Sequence, residues 1–176
     1  MNGQYKDKFP QARALYLYMM VHPGKKLNFM GNEIGQMREW DEKREQDWNL
    51  MTYPAHDSFY TFISDLNAVY LSHPALWKID HFPAGFSWLD CHQEEKCIYI
   101  LQRNASKEHL IAAFNLSDKK HDVSLNIPGN SLTELINTNW EKYGGSVPVE
   151  ADAPGQTLTL APFSGILYKI TDKVMK

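Results

Sequence analysis

Lys25-Lys26-Leu27-Asn28-Phe29-Met30-Gly31-Asn32-Glu33-Ile34-Gly35-Gln36 runs into Arg38-Glu39-Trp40 and then Asp47-Trp48. A short apolar run ends at a glycine, and carboxylates, amides, an arginine and indoles follow at once. An α/β protein builds a polyol site this way, with a buried strand delivering polar and aromatic side chains to its carboxyl end. A strand of this kind needs parallel neighbours, and none is legible elsewhere in the sequence.

The elements around this stretch are helical. Pro10 to His22 carries Ala12, Leu15, Leu17, Tyr18, Met19 and Val21. These apolar residues cover most of the cylinder, as in a helix buried on more than one side. Pro23-Gly24 stops it. In Ser58 to Ser72 the residues Phe59, Phe62, Ile63, Leu66, Val69 and Tyr70 fall on one helical face, with Ser58 as the candidate N-cap. His73-Pro74 ends that helix, because a residue before proline is pushed out of the α region.

From about Pro83 the pattern changes. Phe86–Asp90, Cys97–Gln102, His109–Phe114, Val123–Ile127, Leu132–Ile136, Thr157–Leu160 and Gly165–Ile170 are short strand-like runs separated by polar, glycine or proline turns. Their spacing predicts an antiparallel sandwich with Greek-key links. Clean alternation in Val123–Ile127 and Thr157–Leu160 predicts one solvated face. Tyr143 to Gly155 reads as a long surface loop.

Composition narrows the functional classes. Across 176 residues the hydrophobic fraction is 43% and the net charge is -3. A packed core is affordable, and a partner bound mainly through phosphates is disfavoured. No run of about 18 apolar residues predicts a membrane span, and the amino terminus lacks a signal-peptide core, so a cytoplasmic protein is expected. Cys91 and Cys97 flank a polar turn where a disulfide is geometrically conceivable, but free thiols are the expectation. The scattered histidines give no metal site, and no cofactor is implied.

The order of these pieces is similar to the carboxyl end of the 1,4-α-glucan (glycogen) branching enzymes of the α-amylase superfamily. Phe29-Met30-Gly31-Asn32-Glu33-Ile34-Gly35-Gln36, Arg38-Glu39-Trp40, Asp65-Leu66-Asn67 with Tyr70, His73-Pro74-Ala75-Leu76 and Pro162-Phe163-Ser164 carry the resemblance. It implies a mainly β chain with an α/β remnant at its start. Residues 1–80 would hold the last helix, strand and helix of a catalytic (β/α)8 barrel, with Leu27 to Met30 as the eighth strand. Residues 81–176 would form the C-terminal β-sandwich domain.

The implied parent reaction moves an α-1,4-glucan chain onto a 6-hydroxyl through a covalent glycosyl-enzyme. Such retaining transfer needs two carboxyl groups about 5–5.5 Å apart on a rigid rim. The family's catalytic carboxylates would all precede Met1, so the chain is expected to be inactive alone. His56-Asp57 and His121-Asp122 mimic a family signature but lie in the wrong places for catalysis.

Glu33, Arg38, Trp40, Asp47 and Trp48 are candidate α-glucan contacts, since indoles stack on sugar rings and polar groups bond to hydroxyls. Each also has a structural reading, with the indoles plugging the rim and Arg38 paired to a carboxylate. Trp77, Trp88, Trp140 and Tyr143 are candidates for a second glucan surface. Trp88 reads better as core, whereas core burial is less obvious for Trp140 and Tyr143 in their polar, glycine-flanked stretch, and an exposed pair there would be the better sugar-surface candidate. Two rivals stand beside this reading: another superfamily hydrolase, and a non-catalytic glucan-binding module. Residues 1–80 are expected to refold onto the sandwich, to self-associate, or to stay partly exposed.

Overall fold

A computed structural model describes residues 3–125, 130–149 and 157–172 of the chain. Helices α1 (Tyr5–Val21) and α2 (Pro54–Ser72) precede seven strands: β1 (Phe86–Gln93), β2 (Ile98–Ala105), β3 (Glu108–Asn115), β4 (His121–Ser124), β5 (Asn130–Asn137), β6 (Thr157–Leu160) and β7 (Ser164–Asp172). The strands make two antiparallel sheets, one of five in the order β1-β2-β3-β7-β5 and one of two, β4-β6. The end of the expected run Val123–Ile127 and the far part of the Tyr143–Gly155 loop lie outside the described residues.

The five-stranded sheet is covered on both faces. Leu101, Leu110, Ala112, Phe114, Ile136 and Leu167 pack against Leu17, Met20, Val21, Phe59, Phe62 and Leu66 of the helices. On the other face Ile98, Ile100, Ile111, Ala113, Ile166 and Tyr168 meet Val123, Leu125, Leu158 and Leu160. Consequently Leu110 to Phe114 is buried without a break, as expected for a central strand enclosed on both sides. β6 shows the expected alternation of exposed and buried residues, since only one of its faces meets the core.

The helices therefore share their core with the sheet. Two buried arginines reinforce this junction. Arg13 of α1 donates from Nε to the Thr138 carbonyl at 2.7 Å, and burial pulls its guanidinium down to about 10. Arg103 of β2 is fully buried; it donates to the carbonyls of Gly85 at 3.0 Å and Val21 at 2.6 Å, and to the Asp80 carboxylate. Asp80 also accepts the Gly24 N–H at 3.2 Å, so one guanidinium ties β2 to the end of α1 and its following turn. Glu108 serves the α2 end similarly, accepting the Ala75 N–H at 2.9 Å and the His73 ring at 2.8 Å. Burial alone would raise the Glu108 pKa; these hydrogen bonds and the neighbouring cations outweigh burial and lower it.

Three sequence expectations change. α1 begins at Tyr5, ahead of Pro10, with the Asp7 carboxylate accepting the Gln4 N–H at 3.1 Å. α2 begins at Pro54 rather than at a Ser58 cap, because proline suits the first helical position and Ser58 instead donates to the Ala55 carbonyl. Leu27 to Met30 forms no strand. Among the described residues no edge pairs with it, and Leu27 is 75% exposed. An extended segment without a ladder partner leaves its backbone groups to water.

Candidate functional site

The loop after Met30 is built around backbone conformations that glycine permits. Gly31 and Gly35 have φ of 80° and 64°, in the left-handed region, and bracket a short turn at Asn32–Ile34. The turn is pinned below by His56, a residue 3% exposed in the first turn of α2. Its Nδ1 lies 2.7 Å from the Ile34 carbonyl, its Nε2 lies 3.3 Å from the Tyr5 hydroxyl, and Phe9 meets its ring edge-on. His56-Asp57 is thus a structural support for the loop. The second His-Asp pair starts β4, where Asp122 accepts from Thr159 at 2.6 Å and His121 contacts Ser117.

Gln36 organises the rest of the loop. Its Oε1 accepts the Asp47 N–H at 2.9 Å, and its Nε2 donates to the Arg38 carbonyl at 3.2 Å. Arg38 then grips Asp47, with Nε 3.2 Å from one oxygen and Nη2 3.0 Å from the other, and reaches the Glu45 carbonyl at 2.9 Å. Arg38 and Asp47 are therefore committed to each other and fold the loop back on itself. This is the carboxylate pairing that the structural reading of Arg38 describes.

Both indoles are half exposed in this structure. Trp40 is 50% exposed and packs edge-on against Phe29 at 5.5 Å, and Trp48 is 49% exposed. The half-buried Glu33 has no hydrogen-bond partner among the described residues; after burial, its charge is the second cause of the upward shift of the Tyr16 phenol. Tyr16 donates to Asn28 at 2.9 Å, and a cavity of about 260 Å³ opens beside it, lined also by Asn32, Gln36 and Met37. Exposed aromatic faces and a free carboxylate around a fixed backbone suit recognition of a polyol. Gln36 and Phe29 were missed as individual site residues. Both lie in the decisive stretch, but neither an amide bridge nor an exposed phenyl leaves a spacing signature.

Trp140 and Tyr143 correct the sequence reading. They are 6% and 0% exposed, not a surface pair. Gly145 sits so close to the Asn139 backbone that a Cβ there would fall 2.0 Å from the Asn139 carbonyl oxygen, and this tight return tucks both rings beneath α2. Tyr143 meets Phe62 edge-on at 5.2 Å and donates its hydroxyl to Asp65 at 2.7 Å. Lys142 lies over both rings and bonds the same carboxylate at 2.8 Å. Burial alone would raise the Asp65 pKa, but these hydrogen bonds and the Lys142 charge bring it down overall. The pair is architecture.

Trp88 errs in the opposite direction. It is 39% exposed, because β1 is an edge strand where the helical layer runs out, and its ring leans on Phe86 and Tyr99. Cys91 and Cys97 are free thiols. Among the described residues no group of three or more His, Cys, Asp or Glu side chains is placed to hold a metal ion, and no helix is long and apolar enough to cross a membrane.

Comparison with known proteins gives this geometry a context. Residues 88–171 match the family described as alpha amylase, C-terminal all-beta domain. A 1,4-alpha-glucan branching enzyme GlgB of Aquifex aeolicus is 36% identical over 185 aligned positions, covering 96% of this chain and 29% of that enzyme. The enzyme of the same name from Oceanobacillus iheyensis is 38% identical over 150 positions, covering 83% of this chain and 24% of its own length. The chain thus spans well under a third of these curated relatives.

Among solved structures, a pullulanase from Anoxybacillus sp. LM18-11 complexed with maltotetraose aligns with a TM-score of 0.72 at 10% identity, over 95% of this chain and 24% of that one. The trehalulose synthase MutB from Pseudomonas mesoacidophila MX-45 aligns with a TM-score of 0.63 at 15% identity, over 92% and 38%. These two establish likeness of fold alone. The chain is a homologue of the C-terminal portion of the 1,4-α-glucan branching enzymes, and its residues 88–171 carry the all-beta C-terminal domain of the α-amylase superfamily.

Proposed function

We propose that this chain works as the C-terminal portion of a 1,4-α-glucan branching enzyme, within a protein that transfers α-1,4-glucan chains to 6-hydroxyls. The identity of 36–38% to branching enzymes, spread over most of the chain, carries this reading over that of a different superfamily hydrolase or an isolated binding module. Its role would be to complete and brace the catalytic domain while presenting the Gly31–Trp48 loop to glucan. Asp47 is paired with Arg38 as part of the loop's own structure. We assign the catalytic carboxylates to regions outside this chain.

The helix pair supports the barrel reading. The Asn32–Ile34 turn packs against the amino-terminal ends of both α1 and α2, through Phe9 and His56, while Lys26, just past α1, lies over Tyr70 near the end of α2. The helices therefore run parallel, joined by residues 22–53. In a (β/α)8 barrel, neighbouring helices run parallel and the connection between them contains a strand. In such a barrel, Leu27 to Met30 would supply that strand. In the β domain, the chain leaves the large sheet for β4 and β6 and returns each time to β5 and β7, which supports Greek-key links.

An isolated chain would leave Leu27 and Phe29 in water, which favours self-association through this segment. Sedimentation equilibrium checks this: a dimer or larger species that Leu27→Glu dissociates is expected, and a monomer at every concentration contradicts it. The free cysteines agree with a reducing, cytoplasmic setting.

The functional reading is tested by transplantation. The aligned stretch of the Oceanobacillus iheyensis enzyme is replaced by this chain, and the folded hybrid is assayed on amylose. New α-1,6 branch points, counted by isoamylase debranching, are expected. A hybrid that melts like the parent yet makes no branch points contradicts the reading.

A further inference from the structure

At the far end of the helix pair lies a second, separate pocket. Its cavity of about 350 Å³ is lined by Lys25, Lys26, Tyr70, Trp77, Asp80 and His81, together with Gly24. The Gly31–Trp48 loop packs at the amino-terminal ends of α1 and α2, whereas this pocket follows their carboxyl ends. The loop meets α1 at Phe9 and the pocket follows Val21, which puts about 18 Å of helix between these two contacts.

The walls of the pocket are fixed. Asp80 accepts Arg103 and the Gly24 N–H, and the buried Arg103 also holds Val21 and Gly85. Lys26 donates to the His22 carbonyl at the α1 terminus and lies 5.6 Å from the Tyr70 ring centroid. Against this frame three side chains are uncommitted. Trp77 is 42% exposed, and among the described residues neither its indole N–H nor the exposed Lys25 and His81 side chains have a partner.

A ring face beside two rigidly based hydrogen-bonding groups is the recognition set for a neutral polyol. An anion is less well served. Lys26 is occupied, Asp80 contributes its own negative charge, and one free ammonium does not enclose a phosphate. We infer that this pocket is a second α-glucan-binding site, with a glucosyl ring stacked on Trp77 and its hydroxyls bonded by Lys25 and His81. The choice of α-glucan as ligand rests on the branching-enzyme reading. A site at this distance would hold a glucan chain to the protein without blocking the Gly31–Trp48 loop.

The test is an NMR titration of the purified full chain with maltoheptaose, following the indole N–H resonances, with the Trp77 signal identified by its loss in Trp77→Phe. A saturable shift of Trp77 and of the Gly24–Lys26 amides is expected, with affinity lowered roughly tenfold or more by Trp77→Ala and unaffected by Trp88→Ala. Shifts at Trp40 or Trp48 without Trp77 overturn the second site and leave the branching-enzyme reading standing. No indole shift up to the solubility limit also overturns it, with the transplanted hybrid judging the parent reading independently. Equal response to cellohexaose or stronger response to inorganic phosphate overturns the assignment to α-glucan. A melting curve of Trp77→Ala matching wild type shows that its effect is on binding.

Discussion

Arg103→Ala is expected to lower the stability of the folded chain by about 3–5 kcal/mol, the usual cost of deleting one partner from a buried ion pair. The side chain is fully buried, and the Asp80 carboxylate it meets is only 10% exposed. Alanine would leave that carboxylate uncompensated and strand the Val21 and Gly85 carbonyls, each without its donor. It would also empty a space the size of an arginine. Arg103→Lys keeps the charge but not the planar fork, so one ammonium cannot serve three separated acceptors. Urea unfolding followed by tryptophan fluorescence measures both variants, and the lysine variant should fall between alanine and wild type. A loss within about 0.5 kcal/mol for Arg103→Ala, the range of an ordinary surface change, would show that the network does not hold the helices to β2.

Phe62→Ala is expected to cost about 3–5 kcal/mol as well, by a different route. Phe62 is completely buried in α2, between Phe59 and the edge of Tyr143. Its removal opens a cavity where the helical layer meets the return at residues 139–147. Tyr143→Phe separates packing from hydrogen bonding at the same place. It keeps the ring and removes only the bond to Asp65, so a loss of about 1–3 kcal/mol is expected. If Phe62→Ala unfolded the helices while near-ultraviolet signals from the sheet survived unchanged, the shared core would be refuted.

How far the sequence could be read follows from which interactions are local. The strands were visible because alternation and turn residues are properties of neighbouring positions, and the end of α2 was visible because His73-Pro74 acts on its own backbone. The start of α2 was misplaced because a serine with good capping chemistry lay four residues inside a helix that Pro54 had already begun. Trp140 and Tyr143 misled for a non-local reason. Their polar, glycine-flanked surroundings suggest a surface loop, and only the close return at Gly145 brings them under Phe62. In the Gly31–Trp48 loop the candidate types were readable, but their division of labour was not. The Arg38–Asp47 pair spans nine residues of irregular chain, so no periodicity announces that these two hold the loop while Trp40 and Trp48 face solvent.

The central claim is that this exposed part of the loop meets glucan in a branching enzyme. It is tested most directly by placing Trp40→Ala in the transplanted Oceanobacillus iheyensis hybrid and measuring amylose kinetics. Loss of one stacking face is expected to remove about 0.5–1.5 kcal/mol of binding, up to roughly a tenfold rise in KM. Both kcat and the melting temperature should stay near those of the unsubstituted hybrid, because binding is lost equally from substrate and transition state. An unchanged KM, or a fall in melting temperature that accounts for the whole loss of activity, would contradict the account.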